Sequence, residues 1–348
     1  MNEQLLMDFV HKAVGDIGAV VNGSLVAIGD KLGLYRAMAG QGPLSAADLA
    51  QSTGCAERYL QEWLSAQAAN GYVHYDGDGR FSLPDEHAIP LTDESSPACV
   101  IGGFQLAVAS VHSTERLTQA FRTGEGVGWG EHNHELFEGC ERFFGPSYTS
   151  FLTSTWIPAM DGVAAKLEAG GRIADVGCGQ GVSTRLLAAA YPNSTVVGID
   201  PHTGSLEAAR KEAADAGLST NLSFEQGTAQ DFDGQYDLVC FFDALHDMGD
   251  PAGACRNVLD HLAPGGSLLI VEPNAGDRVE DNLNPVGAAY YAFSTLLCTP
   301  NSLSQAVGTA LGAQAGEKRL REVVVGAGFG SFRRVAETPF NIVMEARR

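Results

Sequence analysis

From Gly171 onward, short apolar runs alternate with segments of helical periodicity, and this alternation restricts the fold more than any other feature. Strands separated by helices pair in parallel through right-handed crossovers. Two late runs, Ser331–Ala336 and Phe340–Ala346, predict an antiparallel hairpin at one edge. The pattern therefore predicts an α/β fold whose first five strands are Arg172–Val176, Thr195–Asp200, Leu222–Gln226, Tyr236–Phe242 and Ser267–Glu272.

The first strand leads into a glycine-rich loop, Asp175-Val176-Gly177-Cys178-Gly179-Gln180-Gly181, and a helix follows from about Val182. Glycines let the backbone approach a ligand, and the helix N-terminus presents free N–H groups. Val182 breaks the G-x-G-x-x-G spacing and no P-loop Lys follows, which disfavours dinucleotides and nucleoside triphosphates. The second strand ends in Asp200, where an acid can accept both hydroxyls of a ribose. S-adenosylmethionine, a nucleoside without a pyrophosphate, fits this pattern.

Residues 171–348 resemble a class I S-adenosylmethionine-dependent methyltransferase. Asp175–Gly181 matches the first motif and Asp200 the ribose acid, while Gly227–Asp231 matches the adenine loop. Phe242–Asp247 matches the segment after strand four, and Leu262–Ser267 the turn before strand five. The resemblance implies a Rossmann-like seven-stranded methyltransferase sheet. It also implies that the cofactor is bound by Asp175, Gly177, Cys178, Gly179, Gly181, Asp200, Pro201, Thr228, Ala229, Phe242 and Asp243.

The residues before the sheet predict a winged helix. Ser45 and Asp48 can cap a short helix that ends at Gly54, and a second helix follows from about Ala56. Tyr72–Tyr75 and Phe81–Leu83 flank an Asp-Gly turn, as in a hairpin.

The whole chain is similar to a bacterial branch of methyltransferases with an N-terminal winged helix, found notably in actinobacteria. Leu136–Phe144 and Cys298–Ser302 resemble segments of that branch. We predict a winged-helix domain over 1–91 and a helical connector over 92–165 that caps the active site. A methyltransferase domain then spans 166–348, with a helical insertion near 275–315.

The charge balance opposes binding to nucleic acid or to an anionic membrane surface. The chain has 22 Lys+Arg against 42 Asp+Glu, a formal net charge of −20, and residues 1–91 hold five against eleven. The beginning, Met1-Asn2-Glu3, lacks the features of a signal peptide. The seven cysteines show no CxxC spacing and predict free thiols in a cytoplasmic protein.

One segment near the N-terminus is strongly apolar. Ala19–Ile28 is interrupted only by Asn22, Gly23 and Ser24, which predicts a buried helix. The wider stretch Val20–Leu34, on an acidic module, predicts a homodimer, because apolar patches on a surface usually mark protein contacts.

His246 is the candidate general base. It lies after strand four, at the edge where open α/β sheets bind ligands. Leu245-His246-Asp247 resembles the signature of small-molecule O-methyltransferases, whose His is the base, although Met248 replaces the usual Trp. A neutral imidazole with an ordinary pKa of about 6.5 can take a hydroxyl proton. The alternative is a structural His246 that holds the loop through a backbone bond.

Residues upstream of the sheet are candidates for contacting the acceptor. Glu131–Glu135 carries two His and two Glu, which fit a metal site, an acceptor contact or a solvated loop. We predict acceptor contacts from His132, Phe137, Tyr148 and Trp156, with core packing as the alternative for the aromatics, and no metal. The predicted function is O-methylation of a small molecule. Methylation of carbon or nitrogen is an alternative, as is an S-adenosylmethionine-binding transcriptional regulator.

Overall fold

The structure, a computed structural model, describes residues 1–218 and 220–348. These residues form two compact units, the first comprising 1–108 and 138–146 and the second 109–137 and 147–348. The division of the chain at residues 91 and 165 stays a prediction.

The first unit packs helices around a small sheet of order β1-β3-β2. Ser45 Oγ accepts from the Asp48 N–H while the Asp48 carboxylate accepts from the Ser45 N–H, so the predicted capping box forms, and Gly54 ends that helix. The helices are α1 (Glu3–Lys31), α2 (Leu34–Met38), α3 (Ala46–Thr53), α4 (Glu57–Ala69), α5 (Asp85–Thr92) and most of α6 (Ile101–Val111), and the strands are β1 (Leu44–Ser45), β2 (His74–Gly77) and β3 (Arg80–Ser82).

The predicted hairpin is present, but its first strand begins at His74 rather than Tyr72. The Tyr72 and Val73 N–H groups donate to the Gln67 carbonyl, so they complete the end of α4 instead of joining the sheet. The turn residues Asp78 and Gly79 both have positive φ, 49° and 73°, as a tight hairpin requires.

The prediction of a buried helix over Ala19–Ile28 is wrong in its burial. The segment lies within α1, but the side chains of Val20 and Val21 are 70% and 60% exposed. Only a narrow stripe faces the core, and there Asn22 Oδ1 accepts from Gln67 Nε2 at 2.9 Å. Among the described residues, α1 is also the one helix long and apolar enough to span a bilayer. A single such helix near the N-terminus is a weak indication.

The second unit contains a seven-stranded sheet of order β6-β5-β4-β7-β8-β10-β9. The first five strands of that order are parallel, and β10 pairs antiparallel with both of its neighbours. The predicted Rossmann-like seven-stranded sheet and its terminal hairpin are confirmed. The strands are β4 (Arg172–Val176), β5 (Thr195–Asp200), β6 (Leu222–Gln226), β7 (Tyr236–Phe242), β8 (Leu262–Pro273), β9 (Ser331–Glu337) and β10 (Asn341–Arg347).

Strand β8 begins five residues earlier than its sequence predicts. Leu262 already pairs with Tyr236, so the stretch expected as a turn belongs to the strand. Gly265, with a φ of 71°, lies at a register shift between these strands, which accommodates the extra residues.

The helices of the second unit cover the sheet and supply the connections between its strands. They are α7 (Thr114–Thr123), the ends of α8 (Glu135–Phe151), α9 (Val163–Ala169), α10 (Val182–Ala190), α11 (Thr203–Asp215), α12 (Pro251–His261), α13 (Pro285–Phe293), α14 (Thr299–Ser304) and α15 (Gly316–Gly326). Short 3₁₀ turns occupy Trp129–Glu131, Leu245–Asp247 and Val279–Asn282, and π-helical turns occupy Leu152–Trp156 and Ser294–Cys298. The parallel strands all end at one edge, which gathers Asp200, Asp243 and Glu272.

Candidate functional site

The glycine loop after β4 requires glycine for both conformation and space. Gly177, Gly179 and Gly181 all have positive φ, at 77°, 52° and 79°. A Cβ on Gly177 would lie 2.9 Å from the Cβ of Ala244, and one on Gly181 would lie 2.7 Å from the Phe224 ring. The loop therefore packs too closely against Ala244 and Phe224 to carry a side chain at Gly177 or Gly181, whereas the space beside Gly179 is open.

Asp200 holds this loop from the neighbouring strand. Its Oδ2 accepts from the Gly179 N–H at 2.9 Å and its Oδ1 from the His202 N–H at 2.8 Å. Burial raises the pKa of the carboxyl, against the effect of these two hydrogen bonds. Each oxygen keeps a lone pair for a further donor, such as a ribose hydroxyl. Pro201 joins Asp200 to His202 in the chain.

Asp175 is fully buried beneath the loop. Its Oδ2 accepts from Ser183 Oγ at 2.7 Å and Thr184 Oγ1 at 2.6 Å, which ties the loop to the first turn of α10. Its Oδ1 is buried without a partner among the described residues. Burial raises the pKa of Asp175 to about 6. A buried acceptor without a donor is costly, so this atom fits a site completed by a bound group.

Three other predicted cofactor residues pack in different ways. Burial raises the pKa of Cys178 well above its ordinary value, so its thiol is inert and its size matters against Gly198. After β6, Thr228 donates from its N–H and its hydroxyl to Asp231 Oδ1, both at 2.8 Å, and Ala229 follows, buried. The preceding Gly227 N–H donates to the Asp200 carbonyl, which brings this loop beside the ribose acid.

Asp243, directly after β7, has a strained backbone with a φ of 47°. Its N–H donates to the Val271 carbonyl at 2.8 Å, and its carboxylate accepts from Tyr148 OH at 2.6 Å and from Asn341 Nδ2 at 3.1 Å. Burial and the nearby Glu272 carboxylate raise the pKa of Asp243 to about 7. Strained residues of this kind concentrate at functional sites.

His246 is buried three residues further on. Its Nδ1 lies 2.6 Å from Glu272 Oε2, and the other oxygen of Glu272 accepts from the Leu245 N–H at 3.0 Å. Its Nε2 lies 3.3 Å from the Sγ of Cys298. Burial disfavours the charged ring, but the Glu272 carboxylate and Cys298 raise the pKa of His246 well above its ordinary value. The sequence expectation of an ordinary pKa is therefore wrong, because the charge that shifts it comes from β8.

The segment before α8 reaches the same edge of the sheet. Trp129 Nε1 donates to Asp247 Oδ2 at 2.6 Å, and Phe137 stacks on His202 with ring centroids 4.5 Å apart. Nδ1 of His132 forms a hydrogen bond of 2.9 Å with the Ser113 hydroxyl. Its Nε2 is buried without a partner among the described residues. Burial lowers the pKa of His132.

The aromatic residues predicted to contact the acceptor divide into two groups. The Tyr148 ring packs 5.3 Å from Phe242, and Phe137 lies against His202, so both are beside the strand ends. Trp156 is fully buried and packs against Tyr148. Glu131 pairs with Arg116, and no group of three metal-ligating side chains occurs in residues 1–218 and 220–348.

Four contacting residues at this site escape the sequence analysis: Trp129, Glu272, Cys298 and Asn341. Glu272 carries a usable signal, because it ends a parallel strand at the edge where ligands bind. Asn341 carries none, because it lies 98 residues from Asp243 in the chain. Cys298 lies 52 residues from His246, and the resemblance of Cys298–Ser302 to a family segment does not indicate their contact.

Two family models match the chain in separate regions. Residues 167–322 match a methyltransferase domain, and residues 21–93 match an Rv2258c-like winged helix-turn-helix domain. The fold and the two matches together define a class I methyltransferase-domain protein with an N-terminal winged helix. The resemblance inferred from the sequence is confirmed.

Curated relatives and solved structures that are similar to the chain are named methyltransferases. A trans-aconitate 2-methyltransferase of Deinococcus radiodurans is 35% identical over 112 residues, 32% of this chain and 42% of that protein. The chain spans about a quarter to a half of the first curated relatives it matches. The mitomycin 7-O-methyltransferase structure has a TM-score of 0.70 at 20% identity, covering 99% of this chain and all of that one. Human N-acetylserotonin methyltransferase, solved with S-adenosylmethionine, has a TM-score of 0.67 at 17% identity, covering 99% and 97%. The similarity of both structures concerns the fold.

Proposed function

We propose that this protein methylates a hydroxyl group of a small-molecule acceptor, with S-adenosylmethionine as the methyl donor and His246 as the general base. The observation that carries the proposal is the buried contact of 2.6 Å between His246 Nδ1 and Glu272. The carboxylate keeps the Nδ1 proton in place, so Nε2 is the nitrogen that can take a proton. A histidine that served only to hold the loop would not need a carboxylate sealed from water at its other nitrogen.

The residues around the glycine loop fit the cofactor. We assign Asp200 and Pro201 to the ribose, Thr228 and Ala229 to the adenine, and Phe242 and Asp243 to the region near the reacting methyl group. The amino-acid end is assigned to the loop residues Asp175, Gly177, Cys178, Gly179 and Gly181. The open space beside Gly179 and the unpartnered Oδ1 of Asp175 support this assignment. When bound, the sulfonium supplies an electrophilic methyl group for in-line displacement.

The chain itself aligns the acceptor, excludes water and removes a proton. His246 accepts the hydroxyl proton at Nε2, and Glu272 stabilises the imidazolium that forms. His132, Phe137 and Tyr148 are proposed to contact the acceptor, and Trp156 to support Tyr148 from behind. Burial opposes the charged ring, but Glu272 and Cys298 raise the pKa of His246 well above its ordinary value, and only the neutral ring can accept the hydroxyl proton. Turnover should therefore rise as the pH increases through that pKa.

The remaining assignments concern the form of the protein in the cell. We propose a cytoplasmic homodimer that uses the exposed apolar face of α1, where Val20 and Val21 lie. All seven cysteines are free, which supports a reducing compartment. The regulator alternative has less support, because Arg58 on α4 is paired with Glu62 on a net acidic domain. Methylation of carbon or nitrogen stays an alternative for the acceptor.

The test combines an acceptor screen with a matched pair of variants. Purified protein and S-adenosylmethionine carrying a labelled methyl group are incubated with phenols, hydroxy acids, fatty acids and amines. With the best hydroxyl acceptor, His246→Ala should lower kcat by roughly 10²–10⁴-fold and leave S-adenosylhomocysteine affinity nearly unchanged. His87→Ala, an exposed histidine of the first unit, is the control.

Label transfer to amines alone would overturn O-methylation, and near-normal turnover of His246→Ala would overturn the base. A shifted DNA band at low salt, with no label transfer to any acceptor, would favour the regulator.

A further inference from the structure

The acceptor-facing nitrogen of His246 is occupied in this structure by a thiol from the helical insertion. Cys298 Sγ lies 3.3 Å from Nε2, and the thiol is also 3.9 Å from the Phe293 carbonyl. Cys298 closes the π-helical turn Ser294–Cys298, and such turns are frequent at functional sites.

The two contacts allow the thiol to satisfy either form of the ring. When His246 is neutral, the S–H group can donate to the lone pair of Nε2. When His246 is protonated, Nε2–H donates to sulfur and the S–H group turns to the Phe293 carbonyl. The thiol is thus both a weak donor and a weak acceptor at the position where an acceptor hydroxyl must form its hydrogen bond with the base.

We infer that Cys298 is a positioning residue that holds Nε2 of His246 in the resting enzyme and is replaced there by the acceptor hydroxyl. The inference rests on the proposed function for its second half. Its first half, that the thiol sets the state of the free base, can be tested without any acceptor.

A hydroxyl is well suited to this exchange. It is smaller than a thiol, forms stronger hydrogen bonds with imidazole, and donates the very proton that the base removes. An amine in its ammonium form carries no lone pair and would meet a protonated ring with like charge. The exchange therefore favours neutral hydroxyl acceptors over cationic amines.

Four groups face the ring and decide its titration. Glu272 approaches from β8, Cys298 from the insertion, Asp243 from the end of β7 and Asp247 from the turn of His246 itself. Removing the thiol leaves the three carboxyl groups and deletes one partner of the protonated ring. The pKa of His246 in the free enzyme should therefore fall in Cys298→Ala, whereas Cys298→Ser keeps a group that both donates and accepts.

The first experiment follows the ¹⁵N resonances of histidine-labelled, full-length enzyme across pH. Cys298→Ala should lower the pKa of His246 by about 0.5–1 unit, and Cys298→Ser should shift it less. Cys99→Ala, which removes a buried thiol from the first unit, is the control for general loosening. An identical His246 titration in the wild type and Cys298→Ala would overturn the inference whatever the enzyme's activity.

The second experiment uses the best phenol from the acceptor screen. The pH profile of kcat/KM reports the free enzyme and that of kcat the enzyme–substrate complex. Cys298→Ala should shift the acid limb of the kcat/KM profile to lower pH. The acid limb of the kcat profile should stay in place. The KM for the phenol should fall roughly three- to tenfold. Equal shifts of both limbs, or a raised KM with neither limb moved, would mean that the thiol is not exchanged.

Discussion

Substituting Glu272 with Gln isolates the electrostatic part of the proposed base. In the wild type, two N–H groups meet two carboxylate oxygens, since Oε2 lies on His246 Nδ1 and Oε1 on the Leu245 N–H. Glutamine has almost the same shape but only one acceptor oxygen and an NH₂ group. One of the two N–H groups must therefore face a donor in a site where Glu272 is 2% exposed.

The magnitude follows from these contacts. A hydrogen bond to a charged group contributes about 1.5–3 kcal/mol, and 1.36 kcal/mol corresponds to roughly one pKa unit. Glu272→Gln should lower the pKa of His246 by about one to two units and shift the acid limb of the pH–rate profile equally far to lower pH. Because a weaker base with an unfixed tautomer remains, kcat on the alkaline plateau should fall roughly 10- to 100-fold.

The assay is methyl transfer to a hydroxyl acceptor between about pH 5 and pH 9, with thermal unfolding measured in parallel. Glu345→Gln provides the control, because Glu345 is equally buried on β10 and bonds Ser267 and Arg333 rather than the base. It should lower stability without moving the acid limb. An unmoved acid limb in Glu272→Gln, or the same displacement in Glu345→Gln, would refute the assignment of Glu272 as partner of the base.

Three further predictions concern binding, stability and assembly. Asp200→Ala should weaken S-adenosylhomocysteine binding at least tenfold by calorimetry, because it removes one or two hydrogen bonds to charge of about 1.5–3 kcal/mol each; unchanged affinity would exclude ribose contact. The melting temperature should fall by several degrees between pH 5 and pH 8. Burial raises the pKa values of Asp175, Asp243 and Asp247 to about 6, 7 and 6, so the folded state binds their protons more tightly than the unfolded state. A melting temperature that stays constant or rises over this pH range would contradict the prediction. Light scattering should give twice the 36.6 kDa monomer mass, and Val21→Asp should give the monomer mass; a monomeric wild type at micromolar concentration would contradict the dimer.

The framework of the catalytic domain is predictable because its signals are local. Each strand of the parallel sheet is a short apolar run, and four of the five predicted strands keep their bounds in the structure. The glycine spacing after β4 and the acid at Asp200 follow from what a nucleoside needs at the strand ends. The capping box at Ser45 follows equally from two residues three positions apart.

The parts that the sequence could not reveal depend on distant contacts. Nothing near Cys298 indicates that it meets His246, because α12, β8, a 3₁₀ turn and α13 lie between them in the chain. The raised pKa of His246 likewise comes from Glu272 on another strand. The same residues predicted both a buried helix over Ala19–Ile28 and a surface patch over Val20–Leu34, because an apolar run shows hydrophobicity but not which face finds a partner.

The antiparallel hairpin of β9 and β10 has a consequence for solubility. Without it, the sheet would end at β8. The unpaired backbone groups along the apolar run Leu268–Val271 would then be open to pairing with a strand of another molecule. Strand β10 satisfies those groups and leaves β9 as the new border.

The composition of the edge strand β9 disfavours pairing with a strand of another molecule. Arg333 and Arg334 lie along β9, paired with Glu345 and Glu317, and the pairing with β10 contains a register shift that interrupts a regular edge. The hairpin therefore closes the edge of the parallel sheet and leaves a charged, irregular border that disfavours strand addition.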